Sequence, residues 1–190
     1  MKSRAGICFM LLGILLLLSA LGLWSYNQYQ NKMAEDAAFV ALADIKEQSD
    51  QLESLVEKDG TAIKVVDGDR YMGYITLEEQ QVQLPVYAEC DLTLLETGLC
   101  RYTGTLGGNN LVICGHNYNS FFGPLLWMDY SEHVIFTDAE GKSTRYVVES
   151  FETISPNDVE GMIEGDFDLT LFTCTYGGTN RYAVRCSREK

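Results

Sequence analysis

Cysteine and histidine are the scarce reactive side chains of this sequence, with six cysteines (8, 90, 100, 114, 174 and 186) and two histidines among 190 residues. A cysteine nucleophile works as its thiolate, and a free thiol titrates near about 8.5, so a neighbouring cation or imidazole must help it ionise. Cys174 has such a neighbour within reach. It closes the apolar run Leu169 to Thr173, and Arg181 follows across Tyr176-Gly177-Gly178-Thr179-Asn180, a segment with the composition of a hairpin loop. If the flanking runs pair as antiparallel strands, the thiol ending one strand faces the guanidinium opening the next.

His116 ends the run Leu111-Val112-Ile113-Cys114-Gly115, where a loop begins and a side chain can project into a cleft. The preceding Gly107-Gly108-Asn109-Asn110 reads as a turn. Position alone does not make His116 a catalyst, because a lone histidine at a strand end is more often a satisfied structural residue. His133, inside Glu132-His133-Val134-Ile135-Phe136, reads as an ordinary strand residue, which leaves His116 as the one good base candidate. Two histidines cannot build a multi-histidine metal site, and the cysteines show neither a CxxC pair nor zinc-ligand spacing, so no metal or cofactor is expected. The acidic pairs Asp67/Asp69 and Glu78/Glu79 fit a solvated surface better than a calcium site. A net charge of -13, from 27 acidic and 14 basic residues, argues against nucleic acid as a partner, since phosphate recognition needs clustered Lys and Arg.

The elements that must position these residues come in three stretches. Lys2 and Arg4 precede an uncharged, Leu-rich run from Ala5 to Trp24, long enough to cross a bilayer as a helix, with Trp24, Tyr26 and Tyr29 at the interfacial belt. The cationic start favours an inside amino terminus, so residues 1–29 are expected to be a single-pass anchor in the cell membrane with the rest extracellular. A cleaved signal peptide is the weaker reading, because Leu18-Ser19-Ala20 is a poor cleavage site after too long an apolar stretch. Residues 30–63 are expected to be a helical stalk, running to a stop at Gly60, with Ala38, Leu42, Ile45, Ser49, Leu52 and Val56 forming one stripe. That stripe suits a spacer packed loosely on the following domain better than a coiled coil, since Ala and Ser weaken the seam.

Residues 64–190 change to short runs rich in Val, Ile, Tyr, Phe and Thr, broken by Gly, Asn, Asp and Pro. Strands are expected at Tyr71–Thr76, Gln81–Tyr87, Asn110–Cys114, His133–Thr137, Thr144–Phe151, Leu169–Thr173 and Arg181–Cys186, with a short helix around Pro156–Glu164. The fold class is all-β, a compact barrel or sandwich of seven or eight strands.

The assembly Gly73-Tyr74-Ile75, Leu84-Pro85-Val86-Tyr87, Ile113-Cys114-Gly115-His116-Asn117, Leu169-Thr170-Leu171-Phe172-Thr173-Cys174 and Arg181-Tyr182-Ala183-Val184 resembles the sortase family of cysteine transpeptidases, from about residue 65 onward. Its most specific part is the Thr-Leu-Phe-Thr-Cys strand end followed by an arginine that opens the last strand. The resemblance leans toward class B or D without fixing the subclass. It implies a sortase-type β-barrel, with Cys174 as nucleophile, His116 as general acid/base and Arg181 as stabiliser of the substrate carbonyl. It further implies cleavage of a C-terminal sorting signal of the Leu-Pro-x-Thr-Gly kind through a thioacyl enzyme, and transfer to an amine of a cell-wall precursor or a pilin. The segment with Met162 and Ile163 corresponds to the region that shapes substrate choice in that family.

Rivals remain within the sequence. Arg185 shares Arg181's face of the last strand and is a second oxyanion donor candidate. Cys114 sits two residues before His116, although a thiol in an apolar run suits a small buried hydrophobe better. Cys90 and Cys100 are candidates for an extracellular disulfide, for which sequence does not supply the geometry. An L,D-transpeptidase-like enzyme would need a Ser-His-Gly-Cys-like segment, absent here, and papain-like peptidases place cysteine before histidine. A non-catalytic, membrane-tethered β-barrel binding module is the remaining alternative.

Overall fold

The computed structural model describes residues 4–47 and 54–189. Of the positions invoked above, Lys2, Ser49 and Leu52 lie outside the described residues. Ten strands share one sheet among those residues: β1 (Ser54–Val56), β2 (Ala62–Val66), β3 (Asp69–Leu77), β4 (Val82–Tyr87), β5 (Leu99–Thr103), β6 (Leu111–Cys114), β7 (His133–Asp138), β8 (Ser143–Ile154), β9 (Leu169–Cys174) and β10 (Arg181–Arg188). Eight of them close into a barrel in the order β3-β4-β5-β6-β9-β10-β8-β7, because β7 pairs back onto β3 from Gly73↔Asp138 to Leu77↔Val134. The expected barrel therefore forms. Its β4–β5 and β6–β9 pairs are parallel and the others antiparallel.

Alternation along the strands decides what fills the barrel. Met72, Ile75, Leu99, Leu111, Ile113, Phe136, Leu169 and Leu171 point inward and are fully or almost fully buried, joined by Phe121, Phe122 and Leu125 from the β6–β7 connection. Each such side chain contributes roughly 1.5–3 kcal/mol on burial. A short helix α2 (Val159–Ile163) lies between β8 and β9, opened by Asp158, whose carboxylate accepts from the Gly161 N–H.

The long helix α1 (Arg4–Glu47) departs from expectation at its end. The sequence pattern carries a helix to residue 59, but Ser54–Val56 is a strand, paired with β2 from Ser54↔Lys64 to Val56↔Ala62. Gly60, read above as a helix stop, instead takes a φ of +84° in the turn of that hairpin, which is closed by Glu57 N–H to Thr61 O at 2.9 Å. Arg101 on β5 anchors the hairpin through Glu57 (2.6 Å) and Asp59 (3.0 Å).

The stripe on α1 is also more than a loose spacer. Ala34, Ala38, Leu42 and Ile45 are buried against the barrel, and the Lys64 ammonium donates to the Ile45 carbonyl at 2.8 Å, a cation at the helix C-terminus. Val56 stands outside this stripe and is exposed. Toward its other end α1 is long and apolar enough to cross a membrane, and its Leu-rich side chains stand clear of the barrel.

Candidate active site

Three neighbouring strands, β6, β9 and β10, carry the candidate residues, with β9 in the middle. Cys174 is the last residue of β9 and Arg181 the first of β10, and the two are register partners. Directly opposed residues of an antiparallel pair hold their Cβ atoms about 4.5–5.5 Å apart, which puts the guanidinium beside the thiol. Thr175–Asn180 closes the hairpin through Thr175 N–H to Asn180 O (3.0 Å) and Gly178 N–H to Thr175 O (2.8 Å), with Gly177 and Gly178 at φ of +83° and +72°.

On the other side of β9, the parallel ladder with β6 runs Leu111↔Leu169 to Cys114↔Phe172, and Gly115 N–H donates to Phe172 O at 3.2 Å. Two more residues along that register bring His116 level with Cys174, and adjacent strands lie about 4.8 Å apart. The buried Thr173 hydroxyl donates to Gly115 O at 2.8 Å, locking the two strand ends together. Gly115 must be glycine for space: a Cβ there would lie 2.5 Å from Leu99 Cδ2 and 3.0 Å from Phe122 Cδ2, both on fully buried side chains.

Cys114, His116, Phe172, Cys174 and Arg181 thus face one cleft of about 340 Å³, walled by Leu92, Leu95, Tyr102, Val159 and Met162. A larger groove of about 730 Å³ lies where α1 meets the barrel, but it contains none of the three candidates and no cysteine. His116 is half-buried, stacks on Tyr118 with centroids 4.9 Å apart, and is held below the ordinary imidazole value by burial, against a smaller opposing pull from Glu96. It is therefore neutral at pH 7, and able to accept a proton. Arg181 donates only to the Gly178 and Asn180 carbonyls, at 3.3 and 3.4 Å, and has no ion pair among the described residues. Its positive charge stays available to the cleft.

The rivals are placed elsewhere. Arg185 is 1% exposed and committed: Glu152 accepts from it at 2.8 and 3.0 Å, Met162 O at 2.8 Å, and Thr170 Oγ1 at 3.0 Å. It ties β10 to α2 and points no donor at Cys174's neighbourhood. Cys114 lines the cleft but is 5% exposed, and its thiol is pushed up by its interaction with Cys90 and by burial. Cys186 is fully buried in the barrel core. His133 lies against Glu79, with Nδ1 3.4 Å from Oε1, outside the cleft. Glu78 pairs with Arg145 at 2.7 Å. Cys90 and Cys100, the candidates for a disulfide, are free thiols in this structure. Two contributors escaped the sequence reading: Thr173, a hydroxyl in a buried strand, and Tyr118, an aromatic two residues past the histidine.

The family model of the Sortase domain matches residues 75–189. No curated protein matches the chain in sequence. Among solved structures, sortase C1 from Streptococcus suis is 26% identical with a TM-score of 0.57, covering 63% of this chain and 73% of its own. A Clostridium perfringens sortase D5 transpeptidase is 20% identical with a TM-score of 0.65, covering 82% and 99%. Sortase C from Streptococcus pneumoniae is 21% identical with a TM-score of 0.60, covering 85% and 89%. Sortase A structures match as well, so the subclass is not resolved. With a closed eight-stranded barrel and a domain match over more than half its length, this chain belongs to the sortase family.

Proposed function

We propose that the chain is a membrane-anchored sortase transpeptidase in which Cys174 is the nucleophile, His116 the general acid/base and Arg181 the oxyanion stabiliser. The observation that carries this reading is the strand register, which flanks Cys174 with His116 on one side and Arg181 on the other at the mouth of a single cleft. His116 takes the Cys174 proton, and the thiolate attacks the scissile carbonyl of a sorting signal of the Leu-Pro-x-Thr-Gly kind. Arg181 offsets the charge on the tetrahedral oxygen. Collapse of that intermediate breaks the C–N bond, His116 protonates the departing amine, and a thioacyl enzyme remains. An amine of a cell-wall precursor or a pilin then gives a proton to His116 and attacks the thioester, and Cys174 leaves.

The anchor supports the same reading. The apolar part of α1 extends from the barrel, and Ala34, Ala38, Leu42 and Ile45 seat its other end, an arrangement that suits a domain tethered at the outer membrane face. Cleavage after Ala20 would cut through the middle of one continuous helix. Family membership sets aside the L,D-transpeptidase alternative.

The test uses the full chain in detergent with a Leu-Pro-x-Thr-Gly peptide and hydroxylamine as acceptor. The expected result is a peptide hydroxamate that disappears in Cys174→Ala. Equal hydroxamate from both proteins would remove Cys174 from the reaction, and cleavage without hydroxamate would make the protein a hydrolase.

A further inference from the structure

Three thiols other than Cys174 gather at one wall of the cleft. Cys100 and Cys114 are register partners across β5 and β6, and the Cys114 Sγ donates to the Cys100 carbonyl at 3.6 Å. Cys90, on the irregular connection between β4 and β5, is exposed and sets its Sγ 3.4 Å from Cys114 Sγ. Cys90 and Cys114 both line the cleft that holds Cys174 and His116, whereas Cys100 is fully buried. Among the described residues no group of three His, Cys, Asp or Glu side chains is disposed to hold a metal ion. Two thiols in contact, one of them exposed, suit thiol–disulfide exchange.

The members are unequal in a way that suits such exchange. Hydrogen bonding with the Cys100 thiol, then with the Cys114 thiol, holds Cys90 below the ordinary thiol range, while the interaction with Cys90 and burial push Cys100 and Cys114 up. Cys90 is thus the member that ionises most readily and also the exposed one, with the Cys114 thiol in contact behind it. Since an S–S bond measures about 2.05 Å, the 3.4 Å gap closes by a movement of only about 1.3 Å, and Cys90 lies in chain free of any strand ladder.

We propose that Cys90 and Cys114 form a redox-active dithiol site that takes small disulfides as its oxidant and closes to an intramolecular disulfide on the cleft wall. The Cys90 thiolate attacks one sulfur of the small disulfide, forming a mixed disulfide and expelling one thiolate, which takes up a proton. Cys114 then loses its proton to solvent and attacks the Cys90 sulfur, expelling the second thiolate. Two protein thiols are oxidised and one small disulfide is reduced to two thiols. The bond links the β4–β5 connection, which carries Leu92 and Leu95, to β6 two residues before His116, so the oxidised form fixes one wall of the cleft. None of this requires the transpeptidase reading to hold.

The test equilibrates the full chain in detergent with oxidised glutathione, quenches with an alkylating reagent in denaturant, which opens the buried thiols, and maps peptides by mass spectrometry. Alkylatable thiols should fall from six to four, with a cross-link joining the Cys90 and Cys114 peptides, reversed by reduced glutathione, and Cys174 still alkylated. Cys90→Ser, a change at an exposed position, should keep all its remaining thiols under the same treatment. Six alkylatable thiols, a lasting glutathione adduct on Cys90 without a cross-link, or a cross-link from Cys90 to Cys100 or Cys174 would each overturn the proposal.

Discussion

At the residue scale, burial and pairing separate side chains that the sequence leaves equivalent. Arg181 and Arg185 are four residues apart on one face of β10, yet one is unpaired by any carboxylate among the described residues and the other is spent on Glu152 and on the oxygens of Met162, Thr170 and Gly161. Arg181→Ala should lower the transpeptidation rate at least about a hundredfold, as loss of an oxyanion donor does, with little change in melting temperature. Arg185→Ala should instead cost about 3 kcal/mol of stability by chemical denaturation, because it leaves buried oxygens without their donor. His116 supplies the pH prediction. Its folded value lies below the ordinary imidazole value of about 6.5 because burial disfavours the cation, so below that pH the unfolded chain binds the extra proton. Its share of stability is present above pH 6.5 and lost as pH falls toward the folded value. NMR titration should place the His116 midpoint under 6.5, and His116→Gln should flatten the fall of melting temperature between about pH 7 and 5. Cys174 and Arg181 were legible because a hairpin places its two ends opposite each other. The isolation of His116 pointed to it by elimination, but its level with Cys174 depends on a parallel pairing between residues more than fifty apart, which no local pattern encodes.

At the element scale, the site depends on how the ends of β6 and β9 are fastened. Gly115 and Thr173 do this from opposite strands, one by absence of bulk and one by a hydroxyl. Gly115→Ala should destabilise the fold by about 1–3 kcal/mol, since Leu99 and Phe122 are buried and cannot yield, and it should lower kcat more than it raises KM by shifting His116. Thr173→Val keeps the shape and removes the bond to Gly115 O, for an expected loss of about 1 kcal/mol in equilibrium unfolding. All seven strands expected from alternation are present, with ends off by up to three residues. The three missed ones have physical reasons. β5 is a five-residue strand with exposed Tyr102 and Thr103 that pairs in parallel after an irregular connection, and β1 and β2 follow a helical pattern whose Gly60 signal serves a hairpin turn equally well.

At the scale of the whole molecule, one helix presents two kinds of surface. Its apolar length fits a bilayer, and its far end completes the barrel through Ala34, Ala38, Leu42 and Ile45. A chain starting near residue 30 should keep the melting temperature of the barrel, whereas one starting at Ser54 should lose about 4 kcal/mol, the burial of those four side chains, and expose Tyr71 and Tyr87 to solvent. The change of pattern from Leu-rich run to polar helix was readable in sequence, but the docking of that helix on the barrel was not, since four small or aliphatic residues look alike on a free stalk and a packed one. The proposed reaction is a thioacyl enzyme formed by Cys174, held between His116 and Arg181, with a sorting signal. Intact-protein mass spectrometry of the full chain, quenched in acid after mixing with a Leu-Pro-x-Thr-Gly peptide, measures this most directly. One added acyl group is expected, mapped to the peptide carrying Cys174 and released by hydroxylamine; an adduct mapped to Cys90 or Cys114, or one that persists in Cys174→Ala, would remove Cys174 from the role of nucleophile.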